Sequence, residues 1–95
     1  HVLAFNDIRP QAPVHVLVIP KGKYISVADF GATATPSEIA AFWRAVAKIA
    51  ADHELPGSGF RLIANTGLNG GQEVPHFHVH ILGGRALGPM LAKAA

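Results

Sequence analysis

The sequence contains no cysteine. A disulfide framework, cysteine-ligated zinc, an iron–sulfur centre and thiol catalysis are therefore excluded. It also contains no apolar run close to the ~20 residues that a membrane-spanning helix needs. The eight lysine and arginine residues are scattered along the chain without a cluster, a pattern that gives no support for a nucleic-acid surface. We therefore expect neither a membrane nor a nucleic acid as a partner.

The composition is that of a globular chain, with 49% hydrophobic and 15% charged residues, and not that of a disordered one. The 95 residues are too few for two cores of ordinary size, so we expect residues 1–95 to form a single domain. No charged-then-apolar leader is visible, and we expect a cytoplasmic protein. Because strand character is present from Val2 onward, we expect the domain to be N-terminally incomplete.

Stretches rich in β-branched and aliphatic residues predict strands. These stretches are Val2–Phe5, Val14–Ile19, Phe60–Thr66 and His76–Leu82. The last two flank a glycine-rich turn at Gly67–Gly71 and predict an antiparallel hairpin. The segment Tyr24–Phe30 is expected to be extended or loop, because its serine and aspartate weaken any single assignment.

The clearest local signal lies at Thr35-Pro36-Ser37-Glu38. Thr35 can cap a helix, Pro36 suits the first helical position and Glu38 completes a capping box. The apolar residues that follow recur with helical spacing, and we predict one helix from Pro36 to about Glu54. Its many alanines widen the apolar surface, which a second copy of the chain could use. The element order β-β-(β)-α-β-β is that of an α+β fold.

Three of the six histidines occupy alternate positions, His76, His78 and His80. On a strand these side chains share one face at intervals of ~6.6–7 Å, and the apolar residues between them pack against the helix. Three imidazoles in a row cannot serve as a hydrophobic core, because each ring must find a hydrogen-bond partner or water.

Three interpretations of this row compete. It is a solvated strand face, or a zinc site in which two of the histidines share the metal with a third ligand, or an anion site in which a neutral imidazole attacks phosphorus. The loop Asn65–Gln72 favours the third. Its glycines let backbone amides approach an oxyanion, successive amides can form a phosphate nest, and its Asn and Gln side chains add donors.

Two residues outside this region are further candidates. His15 lies within an otherwise apolar strand, where a lone histidine is more often a satisfied core residue than a catalyst. Asp7, at the end of the first strand, is by itself most simply a turn or cap residue. An acid facing a site could instead accept hydrogen bonds from ribose hydroxyls.

The whole pattern resembles the histidine triad superfamily, and within it the Hint branch of nucleotide-binding proteins, in its bacterial form. The motifs that carry the resemblance are His76-Phe77-His78-Val79-His80-Ile81-Leu82, Asp7 through His15, Val18-Ile19-Pro20-Lys21, Asn65, Gly70 through Val74, Leu82-Gly83-Gly84-Arg85, and Leu87-Gly88-Pro89-Met90. The resemblance implies a five-stranded antiparallel sheet with one long helix, and a homodimer that forms one ten-stranded sheet. It also implies hydrolysis of purine nucleoside 5′-monophosphoramidates, substrates related to AMP and GMP, without a metal or other cofactor.

The same resemblance implies roles for individual residues. His78 would be the nucleophile that forms a nucleotidyl-histidine intermediate, His80 would contact the phosphoryl group, and His76 and His15 would support the geometry. The nucleotide would be bound by Asp7 at the ribose, by Ile8 at the base, and by the loop residues Asn65, Gly71, Gln72 and Val74.

The sequence departs from the family pattern in three places. Members usually have a further strand and a short helix before the position of His1, and some have N-terminal cysteines that bind zinc. Glu73 stands where some members have a hydroxyl residue, and we expect its carboxylate to point away from the phosphate. Alternatives to the phosphoramidase are a nucleotide-binding protein with residual hydrolysis, a metal-dependent hydrolase and a hydrolase of dinucleoside polyphosphates.

Overall fold

A computed structural model describes residues 1–92 and shows an α+β fold built on one antiparallel sheet. The strands are β1 (Val2–Asn6), β2 (Val14–Pro20), β3 (Phe60–Ile63) and β4 (Val79–Gly83). They are ordered β1-β2-β4-β3, and each pair of neighbours is antiparallel. The helices are α1 (Val27–Thr33), α2 (Pro36–Asp52) and the single turns α3 (Leu55–Ser58) and α4 (Gly67–Gly70). The predicted fold class is thus confirmed.

The sheet has four strands within residues 1–92, and not the five that the resemblance implies. The segment predicted to be extended or loop, Tyr24–Phe30, instead enters helix α1. The reason is a capping box, in which Ser26 accepts a hydrogen bond from the Ala28 amide and Asp29 accepts one from the Ser26 amide. Ser26 and Asp29, which made the sequence-based assignment ambiguous, are therefore the residues that cap the start of this helix.

Helix α2 begins as predicted. The Thr35 hydroxyl accepts a hydrogen bond from the Glu38 amide, and the Glu38 carboxylate accepts one from the Thr35 amide. The helix ends at Asp52, slightly before the predicted Glu54. Glu54 takes a left-handed conformation with φ 58°, which turns the chain into α3.

The core lies between α2 and one face of the sheet. Phe77, Val79 and Ile81 are buried there, which confirms the predicted alternation of the triad segment. The rings of Phe30 and Phe77 stack with centroids 4.9 Å apart, and Phe42 packs against both. The opposite face of the sheet therefore remains available for a site.

The hairpin around the histidine row differs in detail from the prediction. β3 ends at Ile63 and β4 begins at Val79, so His76 and His78 precede the paired strand. The predicted turn at Gly67–Gly71 is a single helical turn that ends at Gly71 with φ 73°. Beyond β4 the chain is irregular as far as residue 92, as predicted, and the last three residues of that predicted tail lie outside the described residues. Within residues 1–92, no helix combines the length and the hydropathy that crossing a membrane requires.

Candidate active site

The candidate site lies on the sheet face that α2 leaves uncovered. The strand register places Phe5 of β1 opposite Leu17 of β2, and Leu17 opposite His80 of β4. Residues directly opposite one another in a sheet project from the same face. This face therefore carries an imidazole beside two large apolar side chains.

A polar cleft of about 290 Å³ opens on this face. Its lining residues are Asp7, Leu17, Asn65, Gly71, Glu73, Val74, His78 and His80. The structure thus brings together six of the predicted site residues, namely Asp7, Asn65, Gly71, Val74, His78 and His80, although they come from three separate parts of the chain. Glu73, whose backbone but not carboxylate we expect near the phosphate, is also among the lining residues.

The imidazole of His78 is held by a main-chain contact. Its Nδ1 lies 2.7 Å from the carbonyl oxygen of His76, and because a carbonyl can only accept, this nitrogen donates. A neutral ring then has its lone pair on Nε2. The ring of His80 lies edge-on to that of His78, with centroids 5.1 Å apart. The contact therefore leaves the lone pair of a neutral His78 ring on Nε2.

His80 is held by His15. Nε2 of His15 lies 2.8 Å from Nδ1 of His80, and 3.5 Å from a carboxylate oxygen of Asp7. The partial burial of His80 lowers its pKa, and repulsion from protonated His78 and His15 lowers it further, while Asp7 acts in the opposite direction. The neutral form of His80 is therefore favoured at neutral pH.

His76 stands apart from the polar cleft. Its Nε2 donates to the carbonyl oxygen of Pro20 at 2.9 Å. The ring lines a second, apolar cleft of about 260 Å³, together with Phe5, Leu17, Ile19, Val74 and His78. The three predicted imidazoles are therefore divided between the clefts: His76 lines the apolar cleft, His80 lines the polar cleft, and His78 lines both.

Two predicted nucleotide contacts lie elsewhere. Ile8 is 94% exposed and lines neither cleft. Gln72 is absent from both linings and braces the loop instead. Its side chain accepts from the Gly67 amide and donates to the carbonyl oxygens of Ile25 and Val74.

The glycine loop offers fewer free amides than the sequence led us to expect. The Gly71 amide donates to Leu68, and the Gln72 amide donates to Gly67. The Gly67 amide is itself bound by the Gln72 side chain. A phosphate nest made from these three amides is therefore unavailable, and Asn65 and His80 are the lining side chains that can donate to an anion.

Phe5, Leu17 and Ile19 are not among the site residues predicted from the sequence. A signal was present, because strict alternation along Val14–Ile19 assigns Leu17 and Ile19 to the same face as His15. Val16 and Val18 belong to the other face and are buried under α2. The alternation of His15, Leu17 and Ile19 along β2 could therefore have identified two of the residues that line the apolar cleft.

One group of side chains in residues 1–92 has the spacing of metal ligands. Asp7, His15 and His80 each offer one ligand atom, and these atoms lie within 4.8 Å of one another. This group differs from the row His76, His78 and His80 that the zinc interpretation considered.

The fold and the imidazole-lined cleft define a histidine triad domain, and the HIT domain profile matches residues 1–87. The chain therefore belongs to the HIT domain family. It is 48% identical over 91 residues to a purine nucleoside phosphoramidase of Escherichia coli, covering 96% of this chain and 76% of that protein. It is 52% identical over 93 residues to an uncharacterized HIT-like protein of Azospirillum brasilense, covering 98% and 76%. The solved structure of a HIT family hydrolase from Clostridium thermocellum superposes with a TM-score of 0.83 at 39% identity, covering 96% of this chain and 78% of that one.

Proposed function

We propose that the protein hydrolyses purine nucleoside 5′-monophosphoramidates to the nucleoside monophosphate and an amine. The observation that carries this proposal is the contact between His78 Nδ1 and the His76 carbonyl, which leaves a nucleophilic nitrogen in a polar cleft. The identity of 48% to the E. coli phosphoramidase supports the choice of substrate.

The reaction proceeds in two displacements at phosphorus. In the first, Nε2 of His78 forms a bond to phosphorus while the phosphorus–nitrogen bond breaks, and the leaving nitrogen takes up a proton to depart as the amine. In the second, water attacks phosphorus, the bond to His78 breaks, and the water gives up a proton. Dividing one difficult displacement into two easier ones is the advantage of a covalent intermediate.

The two adjoining clefts suit the two halves of a nucleotide. The polar cleft holds the α-phosphate and ribose, with Asp7 accepting from ribose hydroxyls and Asn65 and His80 donating to phosphoryl oxygens. The apolar cleft of Phe5, Leu17 and Ile19 accommodates the base in place of Ile8. Donors fixed in advance around the phosphate stabilise the transition state without reorganising.

The central experiment uses His78→Ala with an adenosine phosphoramidate that releases a detectable amine. We expect release of the amine to be abolished in this variant while its circular dichroism is unchanged. His1→Ala is the matched control, because His1 is exposed and outside both clefts. Full activity in His78→Ala would remove this residue as the nucleophile.

Mass measurement of the intact protein tests the covalent step. Quenching the wild-type protein during turnover should give a nucleotidyl adduct that maps to His78. Tight nucleotide binding without turnover or adduct would favour the nucleotide-binding protein instead. Faster cleavage of dinucleoside polyphosphates than of phosphoramidates would change the proposed substrate.

We also propose a homodimer formed through the β3 edge. Phe60, Leu62 and Ile63 on this edge strand are 39%, 42% and 36% exposed, and Trp43 on α2 is 41% exposed. An exposed apolar edge strand readily pairs with another chain. Analytical ultracentrifugation should give a dimer for the wild-type protein and a monomer for Leu62→Lys. The proposed cytoplasmic location is tested by fractionation of cells that express the tagged protein.

A further inference from the structure

The buried His15 has a main-chain partner that neither the sequence patterns nor the proposed reaction accounts for. The amide nitrogen of Gln11 lies 3.0 Å from Nδ1 of His15 and donates to it. The other ring nitrogen, Nε2, lies 2.8 Å from Nδ1 of His80. A continuous chain of hydrogen bonds thus runs from the loop after β1 to an imidazole of the polar cleft.

The direction of this chain follows from its first member. An amide can only donate, so Nδ1 of His15 is an acceptor, and a neutral ring must then have its hydrogen on Nε2. That hydrogen is donated to Nδ1 of His80. His80 in its neutral form must then have its own hydrogen on Nε2.

Nε2 of His80 is the atom open to the cleft. It has no hydrogen-bond partner within residues 1–92. Every buried side-chain nitrogen or oxygen in that part of the chain has a partner, so Nε2 of His80 is accessible to solvent. His80 also lines the cleft. The chain of contacts therefore ends in an N–H group at the polar cleft.

We propose that the main-chain amide of Gln11 is a positioning group for the reaction, which fixes the tautomer of His15 and, through it, that of His80. The proposal rests on the proposed function for its catalytic meaning. The amide acts through two rings and does not touch substrate.

The loop that holds this amide is itself braced. The Arg9 amide donates to Asp7 Oδ1 at 2.8 Å, and Arg85 Nη2 donates to the Gln11 carbonyl at 3.0 Å. The side chain of Gln11 is exposed and donates only to the Arg9 carbonyl. Any residue except proline can therefore supply the group at this position.

The same contact opposes a metal at Asp7, His15 and His80. Zinc bound to Nε2 of His15 would need the lone pair there, so the neutral ring would have its hydrogen on Nδ1. That hydrogen would face the hydrogen of the Gln11 amide, donor against donor. The Gln11 amide thus opposes the binding of zinc by Asp7, His15 and His80, although these residues have the spacing of metal ligands.

The first test is made on the unaltered protein. Long-range proton–nitrogen NMR correlations of ¹⁵N-histidine-labelled protein should show His15 and His80 as Nε2–H tautomers at neutral pH, with His15→Asn used to assign the signals. An Nδ1–H tautomer of His15 would overturn the proposal, whether or not any substrate is hydrolysed.

The second test compares Gln11→Pro, which removes the amide hydrogen, with Gln11→Ala, which keeps it. We expect kcat of the proline variant to fall about 10–100-fold, the range found when a group that orients a metal-binding histidine is lost, with KM nearly unchanged. The proline variant should also bind zinc, titrated as the metal alone, and the alanine variant should not. Equal activity and equal zinc affinity in the two variants would refute the inference. If the proline variant does not fold, the NMR measurement decides.

Failure of the proposed function would look different. A wild-type protein that turns over no phosphoramidate, yet shows the expected tautomers and the expected difference in zinc binding, would remove the reaction and leave the amide's control of the two rings in place.

Discussion

Gly83, at the end of β4, packs so closely against the side chain of Leu55 that no side-chain atom can be added there without a clash. A Cβ atom placed there would lie 2.7 Å from Leu55 Cδ2 and 3.1 Å from Leu55 Cδ1. Leu55 is 2% exposed and belongs to the core, so its side chain has little room to withdraw. We expect Gly83→Ala to destabilise the protein by about 1–3 kcal/mol, as extra methyl groups do in well-packed cores.

The assay is urea unfolding followed by fluorescence and circular dichroism. Gly31→Ala is the matched control, because Gly31 lies within helix α1 and a Cβ there would meet nothing within 4 Å. This control should stabilise the protein by about 0.5–1 kcal/mol, since alanine is the better helix former.

A double-mutant cycle identifies the cause. Leu55→Ala alone should cost about 2–5 kcal/mol through the cavity it leaves. In that background the methyl group added by Gly83→Ala has space, so this substitution should cost much less than it does alone. A neutral Gly83→Ala, or costs that simply add in the double variant, would refute the close contact between β4 and α3.

Three further predictions concern the helix cap, pH and metals. Thr35→Ala removes the hydroxyl that caps α2 and should cost about 1 kcal/mol, a fall in Tm of about 4–8 °C by calorimetry; an unchanged Tm would contradict the cap's role. Because the pKa of His80 is lowered in the folded state, the unfolded chain binds more protons as pH falls below about 6.5. The urea midpoint should therefore drop between about pH 7.5 and about pH 5.5, and His80→Gln should drop less; an equal drop in both proteins would contradict this assignment. Exhaustive treatment with a chelator should leave the hydrolytic rate unchanged, and loss of activity that zinc restores would favour the metal-dependent hydrolase.

The sequence was informative where a local pattern decides the outcome. The capping box at Thr35 and Glu38 and the period-two alternation around His78 each depend on residues close in sequence, and both appear in the structure as predicted. Helix α1 was missed because Ser26 and Asp29 weaken any single assignment of Tyr24–Phe30 as read from composition, although a serine followed by an aspartate at this spacing also caps a helix.

The site was only partly predictable, because its walls come from distant segments. Asp7 and Asn65 reach the polar cleft as expected, but whether a side chain faces a cleft depends on the tertiary course of its loop. Ile8 and Gln72 illustrate this limit, since one extends into solvent and the other turns back on the loop. The role of the Gln11 amide could not be found from residue types at all, because a main-chain group has no signature in sequence.

The segment from His76 to Ile81 carries both the imidazoles of the site and residues of the hydrophobic core. The imidazoles alternate with Phe77, Val79 and Ile81, all of which are buried against α2 and its neighbours. An insertion or deletion of one residue there would exchange the two sets, sending rings that need water into the core and phenylalanine into solvent. Selection for a folded chain is therefore enough to preserve the spacing of the triad, even in a descendant that no longer needs its activity.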